Sequence, residues 1–221
     1  MRISESVFLL LRRDDGRPES AMAQRGYGLA AGAITDLVLA ERVTLGEERD
    51  PRMTVLDPRP VGHRGLDASL MRLVERDGKK LSSLVTDGRV AAEQQVGEAL
   101  AAGGVLEVEE RRLLGLVPAR YPVRDPEPER ALRERLRVVL QGGTPDPREA
   151  TVLAILEGLQ VAANVLEEER GTLGKKDLKR RIEVVSEDVV AGEAVGRAVR
   201  AMNTAIMSAA ILPVVIGGTG G

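Results

Sequence analysis

The chain has 221 residues, of which 43% are apolar and 30% are charged, and its net charge is −2. This length and apolar content are enough to bury one core, and the near-neutral charge argues against a general affinity for nucleic acid. With no cysteine, one histidine, no tryptophan and 1% aromatic residues, the composition excludes a disulfide scaffold, leaves few rings for stacking single-stranded bases, and argues against enzymatic, metal or cofactor chemistry.

The first segment predicts a helix followed by a turn. Ser4 is a suitable N-cap for the apolar run from Val7 to Leu11, and residues 14–18 have turn chemistry. The apolar run is shorter than a secretory signal requires. Because cysteine is absent as well, we expect a cytoplasmic protein.

Helices and one short hairpin are predicted up to residue 104. Apolar residues at helical spacing indicate a buried helix over 29–41, and two short strands follow at 43–45 and 53–56. Two more helices are expected around 66–74 and 81–85. A further continuous helix carries Val90, Val96 and Leu100 and ends at Gly103-Gly104.

A second hairpin is predicted next, with strands at 105–108 and 113–117 and a charged tip at 109–112. Its apolar residues Leu113, Leu114 and Leu116 are unfavourable to leave in water. We therefore expect them to be covered by the protein's own helices, by a second copy of the chain, or by a membrane. Of the last two, self-association is favoured.

The C-terminal half predicts helices that open at Asp125-Pro126 and Asp146-Pro147, because each pair combines an N-cap residue with a proline suited to the first turn. A final helix is expected over 188–211. The sequence thus predicts a mainly α protein: a compact single-domain helical bundle over residues 1–216 with short antiparallel β-hairpins, one of them protruding. The glycine-rich residues 217–221 are expected to form a flexible tail.

The order of these segments resembles the Golgi phosphoprotein family of phosphoinositide-binding peripheral membrane proteins, in its bacterial branch. The likeness extends from about residue 5 to residue 210. The segments that carry it are 5–11, 28–37 leading to Arg42-Val43, 100–106 before the second hairpin, and 146–150 leading into the Leu-rich helix through Val165.

The resemblance implies a mostly helical domain with a protruding hairpin that is associated with self-assembly. It also implies a basic pocket for the head group of phosphatidylinositol 4-phosphate, and adaptor binding to the cytosolic tails of membrane enzymes. The family's pocket aromatic residue falls near Ala21 or Met22, and its first arginine falls on Ala30. Its later pair of arginines falls near Val90 and Glu93, so the pocket of the eukaryotic relatives is not reproduced residue by residue.

Four arginines are candidates for binding an anionic phosphate group. Arg89 follows Asp87-Gly88 at a predicted helix start, where the helix dipole favours anions, and Arg25 precedes the early helix. Arg111 and Arg112 at the predicted hairpin tip can contact anionic lipid, each contributing about 1 kcal/mol near a membrane surface. For each arginine, the alternative is an ordinary solvated side chain.

His63 is the one imidazole of the chain, and it has no histidine partner at a spacing typical of metal ligands. We therefore expect neither a metal site nor catalysis there. The glycine pairs Gly142-Gly143 and Gly217-Gly218 lack the residues that follow phosphate-binding loops, and they predict helix ends.

The function that follows from the resemblance is that of a non-enzymatic peripheral membrane or adaptor module that recognises an anionic, phosphate-bearing surface. Such a protein would be cytoplasmic, peripheral on the inner membrane face, and able to form a homo-oligomer through its hairpin. One alternative is a winged-helix DNA-binding regulator, which residues 91–102 disfavour because they contain Glu93 and Glu98 and no basic residue. Another alternative is a purely structural homo-oligomer.

Overall fold

A computed structural model describes residues 1–13, 15–16, 22–109, 119–188, 201–202 and 204–206. Within these ranges the chain forms ten named helices and one two-stranded antiparallel sheet, which confirms the mainly helical prediction. The elements are α1 (Ile3–Leu10), α2 (Met22–Leu39), β1 (Val43–Leu45), β2 (Met53–Val55), α3 (Arg64–Val74), α4 (Leu81–Val85), α5 (Gly88–Ala91), α6 (Glu93–Ala102), α7 (Glu127–Leu140), α8 (Pro147–Gly158), α9 (Ala162–Val165) and α10 (Lys175–Asp188). Residues 201–202 and 204–206 are also helical.

Helix α1 lies inside the fold and organises it. Its apolar residues, including Phe8 and Leu10, are fully or almost fully buried. It packs against α2, α6, α7 and α8. A helix that is apolar on most sides must be covered by other elements, and the Leu-rich helix α8, which is also buried along most of its length, supplies part of that cover.

The first hairpin confirms the sequence prediction. Strands β1 and β2 pair antiparallel, with Val43 opposite Val55 and Leu45 opposite Met53. The side chains of Val43, Leu45 and Met53 point into the core. An isolated pair of strands is marginal in water, so this packing is what stabilises it.

The predicted continuous helix through Val90 and Val96 is wrong, because the chain breaks it at Ala92. This residue has a left-handed conformation with φ of 43°, and it separates α5 from α6. Val90 and Val96 are both fully buried, so the apolar spacing persists across the break. Neither glycine nor proline marks the position, which is why the sequence pattern does not reveal it.

The second hairpin returns through a different segment from the predicted one, and isolated bridges pair its two sides. Leu106 pairs with Val123 and Glu109 with Arg120, and the N–H of Glu107 donates to the carbonyl of Pro122 at 2.9 Å. The prediction that 113–117 pairs with 105–108 is therefore wrong. Proline argues against a strand at 118–122, yet Pro122 contributes only its carbonyl to the pairing, so its missing N–H is not needed.

Two helix starts occur where the sequence places them. Asp146 caps α8 by accepting hydrogen bonds from the N–H groups of Arg148 and Glu149, at 2.7 and 2.8 Å. The carboxylate of Glu149 accepts in return from the N–H of Asp146 at 3.0 Å, which completes a capping box. At the start of α7, Asp125 accepts from the N–H of Glu127.

Three of the sequence predictions fall on residues outside the described ranges. These are the outer part of the second hairpin (110–118), most of the predicted final helix (189–200 and 207–211), and the glycine tail (217–221).

Candidate functional site

Arg12 lies between two aromatic rings at the base of the second hairpin. Its guanidinium carbon is 4.3 Å from the centre of the Phe8 ring and 5.1 Å from the centre of the Tyr121 ring. The two rings meet edge to face, with centroids 5.6 Å apart and planes at 82°. Because aromatic faces attract cations, the rings hold the guanidinium at this position although its side chain is only 8% exposed.

Glu93 lies beside Arg12 and binds a second buried arginine as well. Its Oε1 accepts from Arg12 Nη2 at 2.5 Å and from Arg25 Nε at 2.9 Å. Its Oε2 is 3.4 Å from Arg25 Nη2. We refer to Arg12, Arg25 and Glu93 as the arginine cluster.

The arginine cluster contains two guanidinium groups and one carboxylate. Nη1 of Arg25 and Nε of Arg12 are buried and have no hydrogen-bond partner within the described part of the chain. Burial lowers the pKa of Arg12, the charge of Glu93 opposes that effect, and the charge of Arg25 adds to it. The Glu93 side chain is 28% exposed, so the cluster is in contact with solvent at its acidic member.

Three local features place these side chains together. Arg12 follows α1, Arg25 lies near the start of α2, and the break at Ala92 starts a new helix at Glu93. One turn later, Gly97 leaves room for the rings, because a Cβ there would lie 2.7 Å from Cε1 of Tyr121 and 3.0 Å from Cζ of Phe8.

The predicted phosphate-binding residues occupy different environments. Arg25 is buried and belongs to the arginine cluster. Arg89 is exposed at the start of α5, where its backbone N–H donates to Asp87, and its side chain forms no ion pair with a described residue. No contact joins these two arginines. Their role in binding phosphate stays a prediction.

The other predicted contact residues lie in the outer hairpin, outside the described ranges. They are Arg111, Arg112, Leu113, Leu114 and Leu116.

Sequence reasoning missed Arg12, Glu93 and Tyr121. Arg12 follows the end of α1, so the sequence shows it only as a charge after the apolar run and does not indicate its contact with Phe8. The other two could not be found, since Glu93 depends on the break at Ala92 and Tyr121 depends on the true register of the second hairpin.

His63 is engaged by both of its ring nitrogens. Nδ1 accepts the N–H of Leu66 at 3.2 Å and caps α3, while Nε2 lies 3.0 Å from Oε1 of Glu5. An imidazole bound on both sides has no nitrogen free to accept a substrate proton. Among the residues that the structure describes, no group of three His, Asp or Glu side chains is arranged to hold a metal ion.

None of the helices within the described ranges is long and apolar enough to cross a lipid bilayer. A search among curated proteins finds no match to the chain. The comparison with protein-family models gives a match to Golgi phosphoprotein 3 (GPP34) over residues 3–202. Because this match spans most of the sequence and confirms the resemblance seen in the order of its segments, the chain belongs to the Golgi phosphoprotein 3 (GPP34) family.

Proposed function

We propose that this protein is a non-enzymatic peripheral membrane or adaptor module that recognises an anionic, phosphate-bearing surface, such as one containing phosphatidylinositol 4-phosphate. The observation that carries the proposal is the arginine cluster, in which two buried guanidinium groups share the single carboxylate of Glu93. Guanidinium forks bind phosphate oxygens in pairs, and Arg25 Nη1 has a donor to spare. Family membership supports the same ligand class, with the arginine cluster in place of the pocket residues that this chain does not reproduce.

The position of the arginine cluster also supports a membrane role. The cluster contacts Tyr121, which lies on the returning segment of the second hairpin, between the paired residues Arg120 and Pro122. A head group bound at the cluster would therefore lie near the base of that hairpin. Contact of the outer hairpin with a membrane or with a second copy of the chain is part of the proposal, as is binding to the tails of membrane proteins.

Liposome sedimentation tests the proposal directly. Wild-type protein is expected to sediment with phosphatidylcholine vesicles that contain phosphatidylinositol 4-phosphate, and to a lesser extent with vesicles of phosphatidylcholine and phosphatidylserine. Vesicles of phosphatidylcholine only should retain none of it. Equal retention by all three vesicle types would contradict recognition of an anionic head group.

The role of the cluster is tested with Arg25→Gln and a matched control. Arg133 in α7 is also partly buried and ion-paired, with Glu129 at 2.8 Å and Glu169 at 3.2 Å, so Arg133→Gln disturbs a comparable pair elsewhere. We expect Arg25→Gln to lose retention by anionic vesicles and Arg133→Gln to keep it. Thermal melting of both variants checks that each is folded. Equal retention of the two variants would remove the cluster from the proposal.

Two further variants test the predicted contacts outside the cluster. Arg89→Glu reverses an exposed charge at the start of α5, and Leu113→Ser combined with Leu114→Ser removes apolar surface from the outer hairpin. Each is expected to reduce retention by anionic vesicles. Salt-sensitive binding to duplex DNA without lipid binding would instead favour the regulator, and loss of an oligomer on deletion of 109–112, again without lipid binding, would favour the structural oligomer.

A further inference from the structure

A polar cleft of about 710 Å³ lies at the N-terminal ends of α1, α3 and α8, on the side where α7 packs. Its size is within the range of small-molecule binding sites. The lining includes the three residues at which these helices begin, Arg2, His63 and Asp146. The positive ends of three helix dipoles therefore meet at one cleft.

The carboxylates of the cleft are already used within the protein. Glu5 accepts from the N–H of Arg2 at 2.9 Å and lies 3.0 Å from Nε2 of His63. Glu149 accepts from the N–H of Asp146 and pairs with Arg135 at 3.2 Å. Asp146 in turn accepts the two N–H groups at the start of α8.

Two arginines of the cleft are left without such partners. Neither Arg2 nor Arg148 forms an ion pair or a side-chain hydrogen bond with the residues that the structure describes, and the backbone N–H group of each takes part in capping. The three carboxylates of the cleft balance the charges of Arg2, Arg135 and Arg148, but only Arg135 is in direct contact with one of them, so the guanidinium N–H groups of Arg2 and Arg148 are left to bind an anion. A guanidinium group binds phosphate or carboxylate oxygens through two parallel N–H···O bonds, so a phosphate group is a suitable ligand for these arginines.

We propose that this cleft binds a phosphate-bearing ligand, with Arg2 and Arg148 as its cationic contacts. The site is separate from the arginine cluster and goes beyond the proposed function. Its ligand is a phosphomonoester, which reaches the cleft either as a soluble molecule or as a lipid head group. The cleft is large enough for a group the size of a sugar phosphate.

The single imidazole of the chain provides the assay. His63 lines the cleft, so its Hε1 proton resonance reports on the site without overlap from another histidine. Inorganic phosphate and glycerol 3-phosphate are titrated at fixed pH, with sodium chloride at matched ionic strength as reference. We expect a saturable shift of the His63 resonance with both phosphates and none with chloride.

The matched variants are Arg2→Gln combined with Arg148→Gln, and Arg130→Gln. The double variant keeps the backbone hydrogen bonds of both caps, and Arg130→Gln changes an exposed arginine of α7 outside the cleft. We expect the double variant to weaken the apparent phosphate affinity about a hundredfold, since each of the two charge-assisted contacts contributes about tenfold, and Arg130→Gln to leave it unchanged. An identical shift with chloride, the absence of a saturable shift, or full affinity in the double variant would overturn the proposal.

Vesicle sedimentation separates the two sources of phosphate. If the double variant also loses retention by anionic vesicles, the ligand is a head group, and if retention is unchanged while the phosphate response is lost, the ligand is soluble. Arg25→Gln probes the arginine cluster and not this cleft. Failure of one proposal is therefore distinguishable from failure of the other.

Discussion

The carboxylate of Asp36 binds both the backbone N–H and the hydroxyl group of Ser4, at 3.0 and 2.8 Å. Its other oxygen accepts the N–H of Ile3 at 3.0 Å. A side chain in the middle of α2 thus satisfies the first turn of α1, which is buried and has no access to water there. Burial raises the pKa of Asp36, although these hydrogen bonds oppose the rise.

Replacement of Asp36 by Asn should destabilise the fold. Asparagine offers one carbonyl oxygen in place of two carboxylate oxygens, and its NH₂ group would face an N–H donor of α1. We expect the free energy of unfolding to fall by about 1–3 kcal/mol, the cost of an unsatisfied buried donor. Urea denaturation measures the change, with Ser4→Ala as a milder control that removes one of the three bonds. If Asp36→Asn were as stable as wild type, water would have to replace the hydrogen bonds that Asp36 accepts from α1.

Gly32 is predicted to tolerate no side chain. A Cβ at this position would lie 3.0 Å from Cα and N of Ser4 and 3.3 Å from C of Ile3, which are backbone atoms that cannot move aside. Gly32→Ala should therefore push α1 from α2 and cost about 1–3 kcal/mol. Gly26, on the same helix, has no atom within 4 Å of the place that a Cβ would occupy, so Gly26→Ala should gain about 0.5–1 kcal/mol from helix propensity. Thermal melts of both variants compare them directly.

The sequence predicts most of the fold because local chemistry specifies it. Asp146-Pro147 places the start of α8 through a cap that involves neighbouring residues only. The apolar run of α1 identifies a buried helix in the same way. The two errors arise where tertiary contacts override local signals: Ala92 adopts a left-handed conformation without glycine, and residues 120–123 pair with 106–109 through isolated bridges although they include Pro122.

The candidate site is less predictable, since its members come from distant parts of the chain. Arg25 is recognisable as a cation near the early helix, but its partner Glu93 is 68 residues away and approaches only because α6 starts after the break. Arg12 is visible in the sequence only as a charge after the apolar run. A pattern of single residues does not contain the information that joins them.

The Glu5–His63 pair predicts a dependence of stability on pH. Burial raises the pKa of Glu5, but the hydrogen bonds from His63 and from the N–H of Arg2 outweigh it, so the net pKa in the folded state is lowered. A lowered folded-state pKa means that ionised Glu5 stabilises the fold above its ordinary pKa of about 4.3, and that this contribution is lost as the pH falls through the lower folded-state pKa.

Glu5→Gln should therefore be less stable than wild type at pH 7, and the difference should shrink as the solution is acidified below the ordinary pKa of glutamate. Urea denaturation at a series of pH values measures it. Glu127→Gln removes the same charge at an exposed position of α7, paired only with Arg130 among the described residues, and should change stability much less. If the difference in the free energy of unfolding between wild type and Glu5→Gln did not change with pH, ionised Glu5 would not be the stabilising form.

Glu93→Gln tests whether the arginine cluster is an anion site whose own carboxylate is its counter-charge. The substitution keeps a hydrogen-bond acceptor beside Arg12 and Arg25 but removes the negative charge that both share. We expect the free energy of unfolding without ligand to fall by about 1–3 kcal/mol, because two buried guanidinium groups lose the negative charge that balances them. The partial exposure of Glu93 to solvent keeps the loss within this range.

The same variant should bind anionic vesicles more strongly than wild type, since the phosphate then supplies the missing charge without competing with Glu93. Short-chain phosphatidylinositol 4-phosphate should accordingly raise the melting temperature of Glu93→Gln more than that of wild type. Glu98→Gln, one turn further along α6 and paired with the exposed Arg64, controls for the change in net charge and should behave as wild type. Weaker vesicle binding by folded Glu93→Gln would instead mean that Glu93 is needed to hold the two arginines in a binding geometry.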